Sequence, residues 1–198
     1  MPRNTVKEII AAGQRLAAGG LIRAYSGNIS CRVDGPAILI TASGVFKGGL
    51  GEQDILLLDN TGRIRQGAAG RMPSSETFMH LAIYNSCPHV QAIVHAHPPY
   101  ATALASLGRE LEHALLEESA LLLGPVPLLP RFSAGSKELA QAAAEKAACA
   151  NALLLAGHGA VSWGESMEQA LARMEILEHT AQVMLLRGLF AQGASGHV

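Results

Sequence analysis

A chain of 198 residues, 49% hydrophobic and only 16% charged, is long enough to bury a real core and reads as one domain spanning residues 1–198. Its net charge of -1 gives no electrostatic footprint for nucleic acid or an acidic membrane surface. Cys31, Cys87 and Cys149 read as reduced thiols, and the lack of a signal-peptide stretch or of any apolar run of roughly 18 residues leaves a soluble, cytoplasmic protein as the expectation.

Helical periodicity runs from Asn4 to Ala18, with Val6, Ile9, Ile10, Gly13 and Leu16 on one face and Gly19-Gly20 as the stop. Two strands follow, Gly27–Arg32 and Ala37–Thr41, joined by the turn Asp34-Gly35-Pro36. A hairpin of Ile55–Leu58 and Arg63–Gln66 turns through Asp59-Asn60-Thr61-Gly62. Pro73-Ser74-Ser75-Glu76 opens a helix to about Ser86, Gln91–His95 is a strand, and Pro98-Pro99 opens a helix through Ala105. Val126–Leu129 is a short strand, Ser136–Ala148 an alanine-rich helix and Ala152–Ala156 another strand, beside which Val161-Ser162-Trp163 can pair. Ser166-Met167-Glu168-Gln169 resembles a capping box for a last helix reaching about Phe190. The pattern is mixed α/β with a largely antiparallel sheet, because several strands are hairpin-linked.

Histidines carry the strongest chemical signal. Residues at i and i+2 of a strand share a face, so His95 and His97 can converge on one ion. His158 ends a second apolar run between Gly157 and Gly159, which allow close approach of backbone or substrate. Three neutral imidazoles with an open fourth position describe a catalytic zinc-type site better than a closed structural one. His80, His89, His113, His179 and His197 lack such an arrangement and read as structural or exposed.

Hydroxyl-rich clusters accompany these histidines. Ser74 and Ser75 at a helix start suit a phosphate, or are simply a cap, and Glu76 can merely complement the helix dipole. Ser26-Gly27-Asn28-Ile29-Ser30 and Thr41-Ala42-Ser43-Gly44 are ordinary turns or nest-like anion sites.

Taken in order, Ser-Gly-Asn-Ile-Ser, Thr-Ala-Ser-Gly, Pro-Ser-Ser-Glu, His-Ala-His-Pro and Gly-His-Gly resemble the class II aldolase/adducin family, most nearly its fuculose-phosphate aldolase branch, over about residues 4–190. The resemblance implies a three-layer α/β/α sandwich around a mostly antiparallel sheet. It also implies a homotetramer with active sites at subunit interfaces, in keeping with the low charge fraction. His95, His97 and His158 would hold Zn²⁺, with Mn²⁺ or Co²⁺ accepted by the same donors, and Glu76 would be a fourth ligand that swings away to act as general base and acid. Such a carboxyl should have a pKa nearer working pH than a free glutamate's. Gly27, Asn28, Ser43, Gly44, Ser74 and Ser75 match positions that bind a sugar phosphate, with Thr41 at the same turn.

The implied reaction is reversible cleavage of a ketose 1-phosphate into dihydroxyacetone phosphate and a small aldehyde, through a metal-stabilised enediolate. Glutamate rather than aspartate at position 76 leans to aldolase over epimerase. Two departures touch the aldehyde half of the site. The segment 112–119 has Glu117 and Glu118 but no tyrosine, and those glutamates are either acids or solvated charges. The sequence ends at Gly196-His197-Val198, so a longer aromatic-bearing tail is expected to be missing. Dehydratases and decarboxylases of sugar phosphates share the scaffold. Adducin head domains share it too, but without the metal-binding histidines present here.

Overall fold

The computed structural model describes residues 1–33 and 35–194; Asp34 of the expected turn and the tail with His197 lie outside the described residues. One sheet holds β1 (Asn28–Arg32), β2 (Ile38–Thr41), β3 (Ile55–Leu58), β4 (Ile64–Gln66), β5 (Ala92–Ala96), β6 (Leu128–Leu129), β7 (Ala152–Leu155) and β8 (Gly159–Gly164). Their order is β4-β3-β2-β1-β5-β8-β7-β6, antiparallel throughout except for the parallel pair β6–β7.

Alternation along the strands creates two cores. Ile29 and Cys31 of β1, Val94 of β5 and Leu154 of β7 pack under α1 (Arg3–Ala18), α3 (Pro99–Ser106), α4 (Glu117–Leu122) and α6 (Met167–Ala194). Ile93 of β5, Leu153 and Leu155 of β7 and Trp163 of β8 pack under α2 (Thr77–Ser86) and α5 (Lys137–Ala147). The result is the expected α/β/α sandwich with a mostly antiparallel sheet. His95, two residues from Ile93, is thereby turned toward the α2/α5 layer.

Local signals set most helix ends. In α1 the buried residues Val6, Ile9, Ala12, Gly13 and Leu16 recur at helical spacing, and the helix closes at Gly19. Ser136 caps α5 by accepting from the Leu139 N–H at 3.1 Å. Ser166 likewise accepts from Gln169 N–H, but the Gln169 side chain accepts from Glu165 N–H, one residue upstream of a capping box.

Other boundaries differ from expectation. The helix expected to open at Pro73-Ser74 starts at Thr77, because the Ser74 carbonyl accepts both the N–H and the hydroxyl of Thr77 in a turn. The strand expected over Val161–Trp163 starts at Gly159 and pairs with both β5 and β7. The short α4 had no periodic signal.

No helix among the described residues is long and apolar enough to cross a membrane. Cys31 and Cys87 are buried and Cys149 is exposed. Burial pushes the Cys31 thiol up to about 12 and raises Cys87 as well. Native protein is therefore expected to take up iodoacetamide at Cys149 alone, and at all three cysteines once denatured. Peptide mass mapping checks this, and prompt labelling of Cys31 in the native state would contradict the burial.

Candidate active site

β5 lies between β1 and β8, and His95 pairs across with Asn28 on one side and Val161 on the other. The strand ends at Ala96, and His97 follows it, held by its N–H donating to the Leu21 carbonyl at 3.1 Å. His158 stands in the turn between β7 and β8. Its two glycines have separate reasons. Gly157 has φ +65°, the left-handed region, whereas a Cβ on Gly159 would lie 2.4 Å from the Ala96 carbonyl oxygen and 2.8 Å from the His97 ring.

The three rings converge, with centroids 4.8–5.0 Å apart. One ligating atom from each lies within 4.8 Å of the others, a set that can hold a metal ion. Glu76, at the N-cap of α2, closes the group. Its Oε2 is 2.9 Å from His95 Nε2 and its Oε1 is 3.4 Å from His158 Nε2. The Asn28 amide donates to Oε2 at 3.0 Å.

The donor chemistry fits a cation. His95 Nδ1 lies 2.9 Å from the Ala160 carbonyl oxygen, an acceptor, so Nδ1 carries the hydrogen and Nε2 presents a lone pair. That lone pair faces His97 Nε2 at 3.1 Å and the Glu76 carboxylate, and Glu76 Oε1 is buried without a hydrogen-bond partner among the described residues. Acceptors gathered this closely, away from water, need a positive charge among them. His95 Nε2 and His97 Nε2, 3.1 Å apart, are close enough to share one ion.

Burial, with His95 and His158 adding to it, pulls His97 down to about 4, and burial, with His95 adding to it, lowers His158 too, which favours the neutral rings that a metal ion would need. Burial alone would raise Glu76, but His95, His158 and the Asn28 amide outweigh it and hold its carboxyl below the usual range.

A cavity of about 210 Å³ opens beside Glu76, His97 and His158. Gly27, Asn28, Ser43, Gly44, Ser74 and Ser75 all line it, so every residue matched to the sugar-phosphate positions is brought there, and Thr41 is not. Thr41 is instead buried, its hydroxyl accepting from the Ile29 N–H and tying β1 to β2. The expected free N–H groups at the start of α2 are engaged: Glu76 N–H donates to Ser74 Oγ and Thr77 N–H to the Ser74 carbonyl. Ser43 N–H is also used, donating to the Met72 carbonyl. The serines thus face the cavity from a turn, not from a bare helix end.

Sequence reasoning missed Lys47. Among the described residues it is the one lysine or arginine lining the cavity, 2% exposed, with Nζ donating to the Val45 and Tyr25 carbonyls at 2.7 and 3.3 Å. Gly13 of α1 packs against its backbone, where a Cβ would sit 2.1 Å from the Lys47 carbonyl oxygen. Its position in Phe46-Lys47-Gly48-Gly49, just after Thr-Ala-Ser-Gly, was the available signal. Glu117 and Glu118 are exposed in the first turn of α4 and do not line the cavity, as solvated charges would be. On the other side of His158 a second hollow holds Arg131, Phe132 and Ser133.

Three imidazoles, two at the end of β5 and one in the β7–β8 turn, stand with a helix-capping glutamate at the edge of a hydroxyl-lined cavity on an α/β/α sandwich, and together they could hold a metal ion. Direct comparison agrees. Residues 7–185 match the class II aldolase and adducin N-terminal domain, and the chain belongs to that family. It is 35% identical over 182 residues to the 3-oxo-tetronate 4-phosphate decarboxylase of Escherichia coli K12, covering 88% of this chain and 84% of that one. Identity is also 35% over 189 residues to the methylthioribulose-1-phosphate dehydratase of Methylococcus capsulatus (Bath), covering 87% and 88%. The crystal structure of L-fuculose-1-phosphate aldolase from Thermus thermophilus superposes with a TM-score of 0.86 at 34% identity, over 98% of both chains.

Proposed function

We propose that the protein is a zinc-dependent aldolase that reversibly cleaves a ketose 1-phosphate of the fuculose-phosphate kind into dihydroxyacetone phosphate and a small aldehyde. The observation that carries the reading is Glu76, a buried carboxylate set against His95 and His158 at the mouth of a cavity rich in hydroxyls. His95, His97 and His158, with Glu76, would hold the ion, and their nitrogen-rich set favours Zn²⁺ while accepting Mn²⁺ or Co²⁺. When bound, such an ion supplies a Lewis acid that polarises a substrate carbonyl and offsets negative charge developing on its oxygen. Glu76 handles the proton. In cleavage it takes the hydroxyl proton from the carbon that leaves as the aldehyde and, once the C–C bond has broken, returns a proton to the carbon that keeps the bonding electrons; in condensation it removes one from the hydroxymethyl carbon of dihydroxyacetone phosphate and returns it to the aldehyde oxygen.

Gly27, Asn28, Ser43, Gly44, Ser74 and Ser75 would cradle the phosphate, and Lys47 would supply its countercharge. Burial, opposed by Asp54, pulls the Lys47 ammonium down to about 8, so phosphate binding should weaken as pH rises through that value. Lys47→Met is expected to weaken binding of inorganic phosphate about 10- to 100-fold, the equivalent of the ~1.5–3 kcal/mol of a hydrogen bond to a charged group. Calorimetric titration checks this, and unchanged affinity with the fold intact would remove Lys47 from the cradle.

A homotetramer with interfacial sites is supported by Leu186, Leu189 and Phe190, which share a face of α6 by spacing and are 40%, 65% and 77% exposed. Sedimentation at four times the chain mass checks it. The free thiols support a cytoplasmic setting.

A second reading, a decarboxylase of a 3-oxo sugar-acid phosphate, is favoured by Arg131, a residue that lines the hollow beyond His158 and whose charge suits a carboxylate at the far end of the substrate. Product analysis separates the readings: an aldolase releases dihydroxyacetone phosphate, a decarboxylase CO₂, and a dehydratase neither.

A further inference from the structure

Behind Asn28 the site continues as a single file of buried hydrogen bonds. Asn28 Oδ1 lies 2.6 Å from His80 Nε2, His80 Nδ1 lies 2.7 Å from Ser30 Oγ, and Ser30 Oγ lies 2.9 Å from the Tyr84 hydroxyl. All four side chains are buried. The file exists because Glu76, His80 and Tyr84 recur every four residues at and along α2, facing Asn28 and Ser30, which share a face of β1.

Each link fixes the next. Asn28 Nδ2 donates to Glu76, so Oδ1 is turned to His80 and must accept. His80 Nε2 therefore carries the hydrogen. Burial, reinforced by His95 and opposed by Glu76, pulls this ring down to about 3, so it is neutral and its Nδ1 must accept from Ser30. The Ser30 oxygen then accepts from Tyr84, whose other acceptor in reach, the Gln91 carbonyl, is 3.5 Å away. Every donor in the file points toward Glu76.

We propose that His80 is a positioning residue for Glu76, holding Asn28 so that its amide nitrogen, and not its oxygen, faces the carboxylate and the cavity. With Asn28 reversed, two acceptors would meet in a buried site, and both the carboxylate and the cavity would lose a donor. The proposal rests on the reading of Glu76 as the group that handles the proton.

His80→Gln and His80→Leu test it. A glutamine amide can repeat both bonds, donating to Asn28 and accepting from Ser30, whereas leucine fills space with neither. With zinc content equal, His80→Leu is expected to lower kcat about 10- to 100-fold, in the range of other groups that orient an active-site ligand. It should also weaken inorganic phosphate binding, while His80→Gln recovers most of both. In the wild-type protein, ¹⁵N NMR should show His80 protonated at Nε2 and bare at Nδ1. Wild-type behaviour of a folded His80→Leu, a His80→Gln as impaired as the leucine variant, or the Nδ1–H tautomer would overturn it. A wild-type protein that neither turns over a sugar phosphate nor binds phosphate would instead sink the functional reading, and the tautomer would still decide the role of His80.

Discussion

Glu76→Gln is expected to lower kcat by about 10² to 10⁴, the usual worth of a positioned general acid or base, while the protein keeps its zinc. The substitution is nearly isosteric, so the volume at the N-cap of α2 is preserved and the Asn28 amide retains an oxygen to donate to. His95, His97 and His158 remain in place to hold it. Only the capacity to take and return a proton is lost. Initial rates at saturating zinc, with metal analysis of the same sample, check the split. Turnover near the wild-type value would remove Glu76 as the proton carrier.

His95→Ala should lose metal and turnover together. Its ring is fully buried between β1 and β8, and its Nδ1–H satisfies the Ala160 carbonyl. Removing it leaves two imidazoles and an empty volume beside Glu76. Groups that merely orient a ligand cost about 10- to 100-fold in metal affinity, so loss of the ligand itself should exceed that range. Zinc competition against a chromophoric chelator measures the affinity, and circular dichroism confirms that the sandwich persists. A folded His95→Ala protein that still binds one zinc tightly would mean that the ion sits elsewhere.

The convergence of the histidines was legible because it obeys a local rule. His95 and His97 are two residues apart at the end of a strand, and Ile93 on the same face confirms the alternation that aims them. Glu76 and the serine pair could be placed by order along the chain, although their exact setting could not. A turn closed by the Ser74 carbonyl moves the helix start to Thr77 and makes Glu76 the cap. What escaped depends on distant partners. Lys47 is buried where Gly13, from another element, packs against its backbone, and no window around Lys47 contains that fact. His80 looked like an isolated histidine, yet its spacing of four from both Glu76 and Tyr84 was a visible sign that the three share a helix face. The sheet order, which brings β5 between β1 and β8, rests on long-range pairing that periodicity does not report.

The most direct test of the account is proton exchange into dihydroxyacetone phosphate with no aldehyde present. Zinc-loaded protein is incubated with the triose phosphate in D₂O and followed by proton NMR. One hydrogen of the hydroxymethyl carbon is expected to be replaced by deuterium, with the Glu76→Gln variant silent. No exchange, from protein shown to contain zinc and to bind the triose phosphate, would contradict an aldolase built on Glu76 and move the assignment to decarboxylation or dehydration on the same histidines.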